Sequence, residues 1–231
     1  MNHIKTSLLL LILFLSLTCF SNDTLTIVIH PSFRGIPVQL NSTDYINNNG
    51  DTLRISRVRI YISNIELKSK TGETHTAANS YHLIDLEKPA SLNIKLKSGI
   101  KDLSKIRFSV GVDSASCVSG AMSGDLDPIY GMYWAWNSGY INAKIEGTSN
   151  QCKTHNNRFE FHIGGYLSPY QTIQNVQLET KAKNGRITID MDLNEWFEDI
   201  DLGEENSILI PGGKAVEMSK RYKKMFSISA Q

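Results

Sequence analysis

The chain has 231 residues, 41% of them hydrophobic, with 24 Lys and Arg against 23 Asp and Glu. A balance this close to neutral argues against nucleic acid and against an anionic membrane surface as partners, because both reward a clustered basic excess. The length suits one all-β domain able to bury a substantial core.

The N-terminus reads as a targeting signal. Lys5 supplies a positive start and Leu8 to Phe20 is almost wholly apolar. The run is too short and too terminal for a comfortable membrane span. Small residues flank Phe20 at the positions a signal peptidase inspects, so residues 1–21 are expected to be removed by cleavage after Ser21. The rival expectation is a lipid anchor on Cys19, although Thr18 departs from the small Gly or Ala usual before such a cysteine. No later apolar run is long enough to span a bilayer. Residues 22–231 then read as a single β-rich domain, exported to the periplasm, the cell surface or the medium.

Leu25 to His30 alternates, with Leu25, Ile27 and Ile29 on one face and Val28 and His30 on the other, and Pro31 is expected to end it. Ile36 to Leu40 is a short second run. Asn47 to Asp51 is a turn rich in residues that tolerate positive φ. Leu53 to Leu67 is long and β-branched. Its inward set changes register twice, from Leu53 and Ile55 to Val58, Ile60 and Ile62, then to Ile65 and Leu67, so a bulge or twist is expected at each change. Tyr81 to Leu86, Leu92 to Leu96 and Ile106 to Val112 read as strands, and Ser114 to Pro128 as an irregular loop. Met132 to Ile145, Arg158 to Ile163, Ile173 to Glu179 and Arg186 to Met191 read as further strands. Asn194 to Phe197 could form one helical turn, and Ala215 to Phe226 reads as the one real helix. The fold class is therefore all-β, a β-sandwich or flattened barrel of about ten strands with a short C-terminal helix.

The chemistry begins with what is missing. There is no Gly-x-Ser-x-Gly, no His-Glu-x-x-His and no P-loop, which places hydrolysis last among the readings. Asp125 and Asp127 precede Pro128 and read as turn-formers rather than calcium ligands. Loss of the signal leaves Cys117 and Cys152. An even pair outside the cytoplasm predicts a disulfide, closing a loop of about 35 residues around the tryptophan segment. Metal thiolates are the alternative, without the Cys-x-x-Cys clustering that favours them.

Trp134 and Trp136 stand two residues apart and would share a face of one strand. They either fill the core or form a built site, redox-active or stacking against a sugar. His162 follows on the next strand. With Phe159, Phe161 and Ile163 facing the core, Glu160 and His162 face the other way, and Gly164-Gly165 would let a ligand or another chain approach. His162 is either a sheet histidine bonded to a neighbour or a ligand. His30 and His82 lie at or near strands, and His155 sits in a polar loop.

Several segments together resemble the MbnP-like (MopE/CorA-related) copper-binding proteins. They are Arg59 to Leu67 (RIYISNIEL), Leu83-Ile84-Asp85, Arg107 to Asp113 (RFSVGVD), Leu126-Asp127-Pro128, Gly131 to Tyr140 (GMYWAWNSGY) and Phe161 to Gly165 (FHIGG). The resemblance implies an exported, β-rich, non-enzymatic protein that binds copper through histidine and a tryptophan oxidised to kynurenine. Carried over, Trp134 or Trp136 is the residue to be modified, His162 the leading ligand, and His30 and His82 second-rank ligands. A diheme, MauG-like peroxidase is the implied partner. Two features depart from the pattern: no histidine follows two residues after either tryptophan, and no Met-rich or Cys-rich metal run occurs. The competing reading is a non-enzymatic binding or adhesion module that offers an aromatic platform to a carbohydrate or a surface protein.

Overall fold

The long β-branched run, 53–67, lies within an 18-residue strand, Thr52–Ser69, and its seven inward residues are each at most 2% exposed. Both expected register changes are present. Against one neighbour, Ile55 pairs with Gly147 but Arg57 with Glu146, leaving Ser56 over; against the other, Ser63 pairs with Ser109 but Glu66 with Arg107. Asn64, in the second bulge, takes a positive φ of 51°. Each bulge resets which residues face inward, so one strand can wrap the core along its whole length.

The computed structural model describes residues 24–229 apart from 78–79, 101, 138 and 181–184. The expected signal segment 1–21, its cleavage point at Ser21 and Cys19 lie outside the described residues. In chain order the strands are β1 (Thr24–Phe33), β2 (Ile36–Pro37), β3 (Tyr45–Ile46), β4 (Thr52–Ser69), β5 (Thr74–Thr76), β6 (Tyr81–Asp85), β7 (Asn93–Lys97) and β8 (Leu103–Val110). They continue with β9 (Tyr133–Trp134), β10 (Gly139–Ser149), β11 (Arg158–Gly164), β12 (Gln174–Glu179), β13 (Arg186–Asp192), β14 (Ser207–Ile208) and β15 (Phe226–Ile228). The excess over about ten consists of two- and three-residue strands too short to give an alternation signal.

Two sheets result. A five-stranded sheet runs β15-β13-β1-β2 with β7 also on β1, and a ten-stranded sheet runs β12-β8-β4-β10-β11-β14 with β3, β5, β6 and β9 on its edges. One apolar cluster joins them: Leu25, Ile27 and Ile29 of β1 meet the inward residues of β4 and Phe159, Phe161 and Ile163 of β11. The all-β sandwich expected from the alternation is thus present. Pro31 does not end β1. It falls between the last β7 pairing, at Val28, and the first β2 pairing, at Ser32, where no ladder donor is required.

Three further expectations change. Residues 132–145 form a hairpin rather than one strand, with Tyr133 opposite Tyr140 and Trp134 opposite Gly139. The Ser- and Gly-rich stretch after β8 is ordered, with a helix over Ser114–Val118 whose first turn is capped by Asp113 accepting from the Ser116 amide. The C-terminal helix is two short ones, Gly213–Ser219 and Tyr222–Met225, the chain then turning into β15. The turn at Asn194–Phe197 forms as expected and buries Trp196, whose ring stacks 5.4 Å from that of Tyr222. No helix among the described residues is long and apolar enough to cross a membrane.

Candidate functional site

The outer face of the ten-stranded sheet carries a second apolar cluster, which includes Tyr61, Leu83, Met132, Trp134, Tyr140 and Ile141. Tyr61 belongs to it while its neighbours Ile60 and Ile62 belong to the main core, as strand alternation requires. The segment before the hairpin roofs this face. Tyr61 Oη donates to the Asp125 carbonyl at 2.9 Å, Tyr140 Oη to the Leu126 carbonyl at 3.1 Å, and the Leu83 amide to Asp125 Oδ2 at 2.9 Å. Asp127 caps the following turn by accepting from the Ile129 amide. Asp127 therefore acts as the turn residue expected, whereas the Asp125 carboxylate ties the roof to β6.

The hairpin separates the two tryptophans. Trp134 is 8% exposed and Trp136 64% exposed, yet the rings stay in contact with centroids 5.6 Å apart. The shared strand face expected from their spacing fails because the chain leaves the strand after Trp134. The Trp134 indole lies over Gly164 of β11. A Cβ added there would stand 2.7 Å from Trp134 Cζ3 and 2.6 Å from the Tyr140 carbonyl oxygen, so only glycine fits.

Gly164 and His162 are two residues apart on one strand and point to the same side. His162 therefore shares the outer face with the Trp134 ring. Opposite it in register stands Lys144 of β10. His162 Nε2 is 2.7 Å from Glu146 Oε1, and Arg57 donates to Glu146 Oε2 at 2.9 Å. The hydrogen bond from His162 and the adjacent cations outweigh burial and hold the Glu146 carboxyl at about 2. Burial pushes the Lys144 ammonium below its ordinary value, and the group donates to the Gly131 carbonyl at the foot of the hairpin. Arg59 continues the polar face, pairing with Asp85 at 3.0 Å and donating to the Tyr130 carbonyl at 2.8 Å. Charged row and aromatic roof are thus stitched together along β4, β10 and β11.

The other histidines lie elsewhere. His30 is on the outer face of the opposite sheet, half exposed, with Nδ1 3.0 Å from Asp190. His82 is on β6. Arg59 and Ile60 pair with both β6 and β10, so these strands take opposite edges of β4. Three strand spacings, about 14 Å, then separate His82 from β11. Its Nε2 is buried without a protein partner, and burial pushes the imidazole below its ordinary value against the pull of Asp125. His155 is exposed at its turn, and His75 sits on β5 opposite Leu67. The structure therefore does not bring His30 or His82 to His162. Among the described residues no three His, Cys, Asp or Glu side chains converge as a metal-holding group.

The expected disulfide is also corrected. Cys117 and Cys152 are free, buried thiols. Cys117 packs in the outer cluster and Cys152 in the main core, on opposite faces of the sheet. Burial pushes both thiols up to about 11.

Sequence reasoning missed Glu146 and Lys144; it singled out Gly164 for close approach, and the Trp134 ring is what approaches it. The alternation Asn142, Lys144, Glu146 marked a polar strand face, but nothing local showed that a hairpin 13 residues upstream covers it.

A solved structure described as MbnP from Methylosinus trichosporium shares this fold, with a TM-score of 0.61 at 14% identity, covering 78% of this chain and 79% of that one. No curated protein matches the chain. The profile of one family, MbnP, matches residues 22–211, a span that takes in every strand but β15, with the hairpin and the His162 strand, and the chain belongs to the MbnP family.

Proposed function

We propose that this chain is an exported copper-binding protein, not itself an enzyme, which holds the metal on the outer face of β10 and β11 through His162, with Trp134 beside it as the residue open to oxidation to kynurenine. One observation carries the reading. Of the histidines on strands, His162 alone among the described residues shares a face with the buried tryptophan, whose ring rests two positions along at Gly164.

The donor set fits one protein nitrogen ligand. Metal-bound imidazoles characteristically give their other ring N–H to a carboxylate, which fixes the tautomer and raises ligand basicity. Glu146 is placed to do this at Nε2, which leaves the Nδ1 lone pair for a soft or borderline cation. Arg57 in turn holds the carboxylate from its far side. An imidazole beside an aromatic-derived donor is chemistry that suits copper, and the metal would supply the redox activity. A diheme, MauG-like peroxidase is the partner class for oxidising Trp134, as the family resemblance implies. The apolar run Leu8 to Phe20 supports export.

Metal analysis and tandem mass spectrometry of native protein test the proposal together. Copper at about one atom per chain, lost in His162→Ala, is expected, with Trp134 rather than Trp136 carrying any added mass. Absence of copper after growth in both copper-replete and copper-limited media would overturn it.

A further inference from the structure

The groove beside the exposed tryptophan is unused by this reading. Four of the ten large hydrophobic residues exposed among the described residues gather there: Trp136 at 64%, Leu167 at 61%, Tyr170 at 47% and Ile210 at 62%. They come from three separate segments, the hairpin turn, the stretch after β11 and the stretch after β14, and enclose about 280 Å³. Single exposed apolar side chains need no explanation, but a convergent cluster does.

The walls are held in place. The Thr172 amide donates to the Gly165 carbonyl at 3.0 Å, and the Tyr170 amide to the Leu167 carbonyl at 2.7 Å. Ser114 Oγ donates to the Tyr166 carbonyl at 3.0 Å, and the buried Asn142 amide to Thr172 Oγ1 at 2.8 Å. Gly165 sits at φ 145°, and a Cβ there would lie 2.2 Å from the Tyr170 carbonyl oxygen. The backbone of the 165–172 wall is therefore held before any ligand arrives, and the Trp136 ring rests against that of Trp134, which lowers the ordering cost of binding.

We propose that this groove binds a neutral pyranose, the end or one unit of a glycan, stacked on Trp136 and Tyr170. The lining contains no Lys, Arg, Asp or Glu, so it holds no formal charge to pair with that of an ionic ligand, and a neutral one is favoured. A sugar ring presents C–H faces that pack on indole and phenol rings and hydroxyl edges that need paired donors and acceptors. Asn137, whose amide supplies both, lies in the lining with the tyrosines Tyr166 and Tyr170. At about 280 Å³ the groove lies at the small end of ligand clefts, which run to about 300–1,000 Å³, and suits a single sugar ring. Trp134 cannot serve, being covered by the hairpin; the platform is the exposed partner of the pair. The groove adjoins the Trp134 ring through Trp136, but His162, Glu146 and Lys144 are not among its lining residues.

A glycan array followed by ligand-observed NMR with cellobiose, maltose and chitobiose tests the proposal on the wild-type chain. At least one neutral sugar should bind, and Trp136→Ala and Tyr170→Ala should each weaken it about tenfold or more, the loss of an aromatic contact from a small ligand. Near-UV circular dichroism and copper content should stay unchanged in both variants. Silence toward all neutral glycans would overturn the proposal, as would undiminished binding in both variants. A concentration-dependent dimer abolished by Trp136→Ala would overturn it too, assigning the groove to a second copy of the chain.

Discussion

Replacement of Gly164 by alanine probes the packing on which the proposed metal site rests. The added Cβ would meet Trp134 Cζ3 at 2.7 Å, Trp134 Cη2 at 3.1 Å and the backbone oxygen of Tyr140 at 2.6 Å. The indole could swing, but the carbonyl belongs to the paired strand β10 and cannot move without disturbing the ladder. Overpacking costs about 1–3 kcal/mol, and contact with backbone places this site in the upper part, about 2–3 kcal/mol. For a chain of this size that lowers Tm by about 4–12 °C. Gly99→Ala is the control, since nothing lies within 4 Å of its would-be Cβ, and it should change stability by less than about 0.5 kcal/mol. Thermal unfolding followed by near-UV circular dichroism and tryptophan fluorescence measures both. If Gly164→Ala melts with Gly99→Ala and leaves the tryptophan signal untouched, the indole does not lie over Gly164, and its adjacency to His162 fails with it.

Other consequences are as direct. Trp134→Ala should cost about 3–5 kcal/mol by opening the outer cluster, whereas Trp136→Ala, from a 64% exposed position, should stay within about 0.5 kcal/mol; equal losses in chemical denaturation would contradict the split between the rings. Both thiols, pushed up to about 11 by burial, should resist a disulfide-exchange reagent at pH 8 and react fully once the chain is unfolded; one bridged pair in native protein would refute the separation. Burial raises the Asp113 carboxyl, but hydrogen bonds from Tyr81 and Ser116 outweigh that and hold it below 3.8. A carboxyl depressed by folding stabilises above its unfolded value and loses that contribution as pH falls through its folded one. Asp113→Ala, which also removes the helix cap, should therefore cost about 1–2 kcal/mol at neutral pH, with a gap from wild type that narrows below pH 3.8; a gap independent of pH would argue against the paired carboxylate.

Where burial alone set the pattern, the sequence was readable. Both register changes of β4 were visible because each bulge moves the next β-branched residue to the inner face, as Ser56 and Asn64 do. Phe159, Phe161 and Ile163 pointed inward and left His162 outside for the same reason. The tryptophan hairpin was hidden because large apolar residues fill both faces around the turn, Met132, Trp134 and Trp136 on one set and Tyr133 on the other, and β10 is buried on both sides, against the main core and under the roof. The cysteines misled because spacing carries no information on which face of a sheet each residue occupies. Glu146 could not be matched to His162 without the β10–β11 register, a long-range fact.

The most direct test of the proposed copper site is X-ray absorption at the copper edge, on copper-loaded wild type and on the three single variants His162→Ala, His30→Ala and His82→Ala. Imidazole scattering should be present in wild type, persist in the His30 and His82 variants and vanish in His162→Ala. Scattering that survives the loss of His162, or that depends on either of the other two, would contradict the assignment.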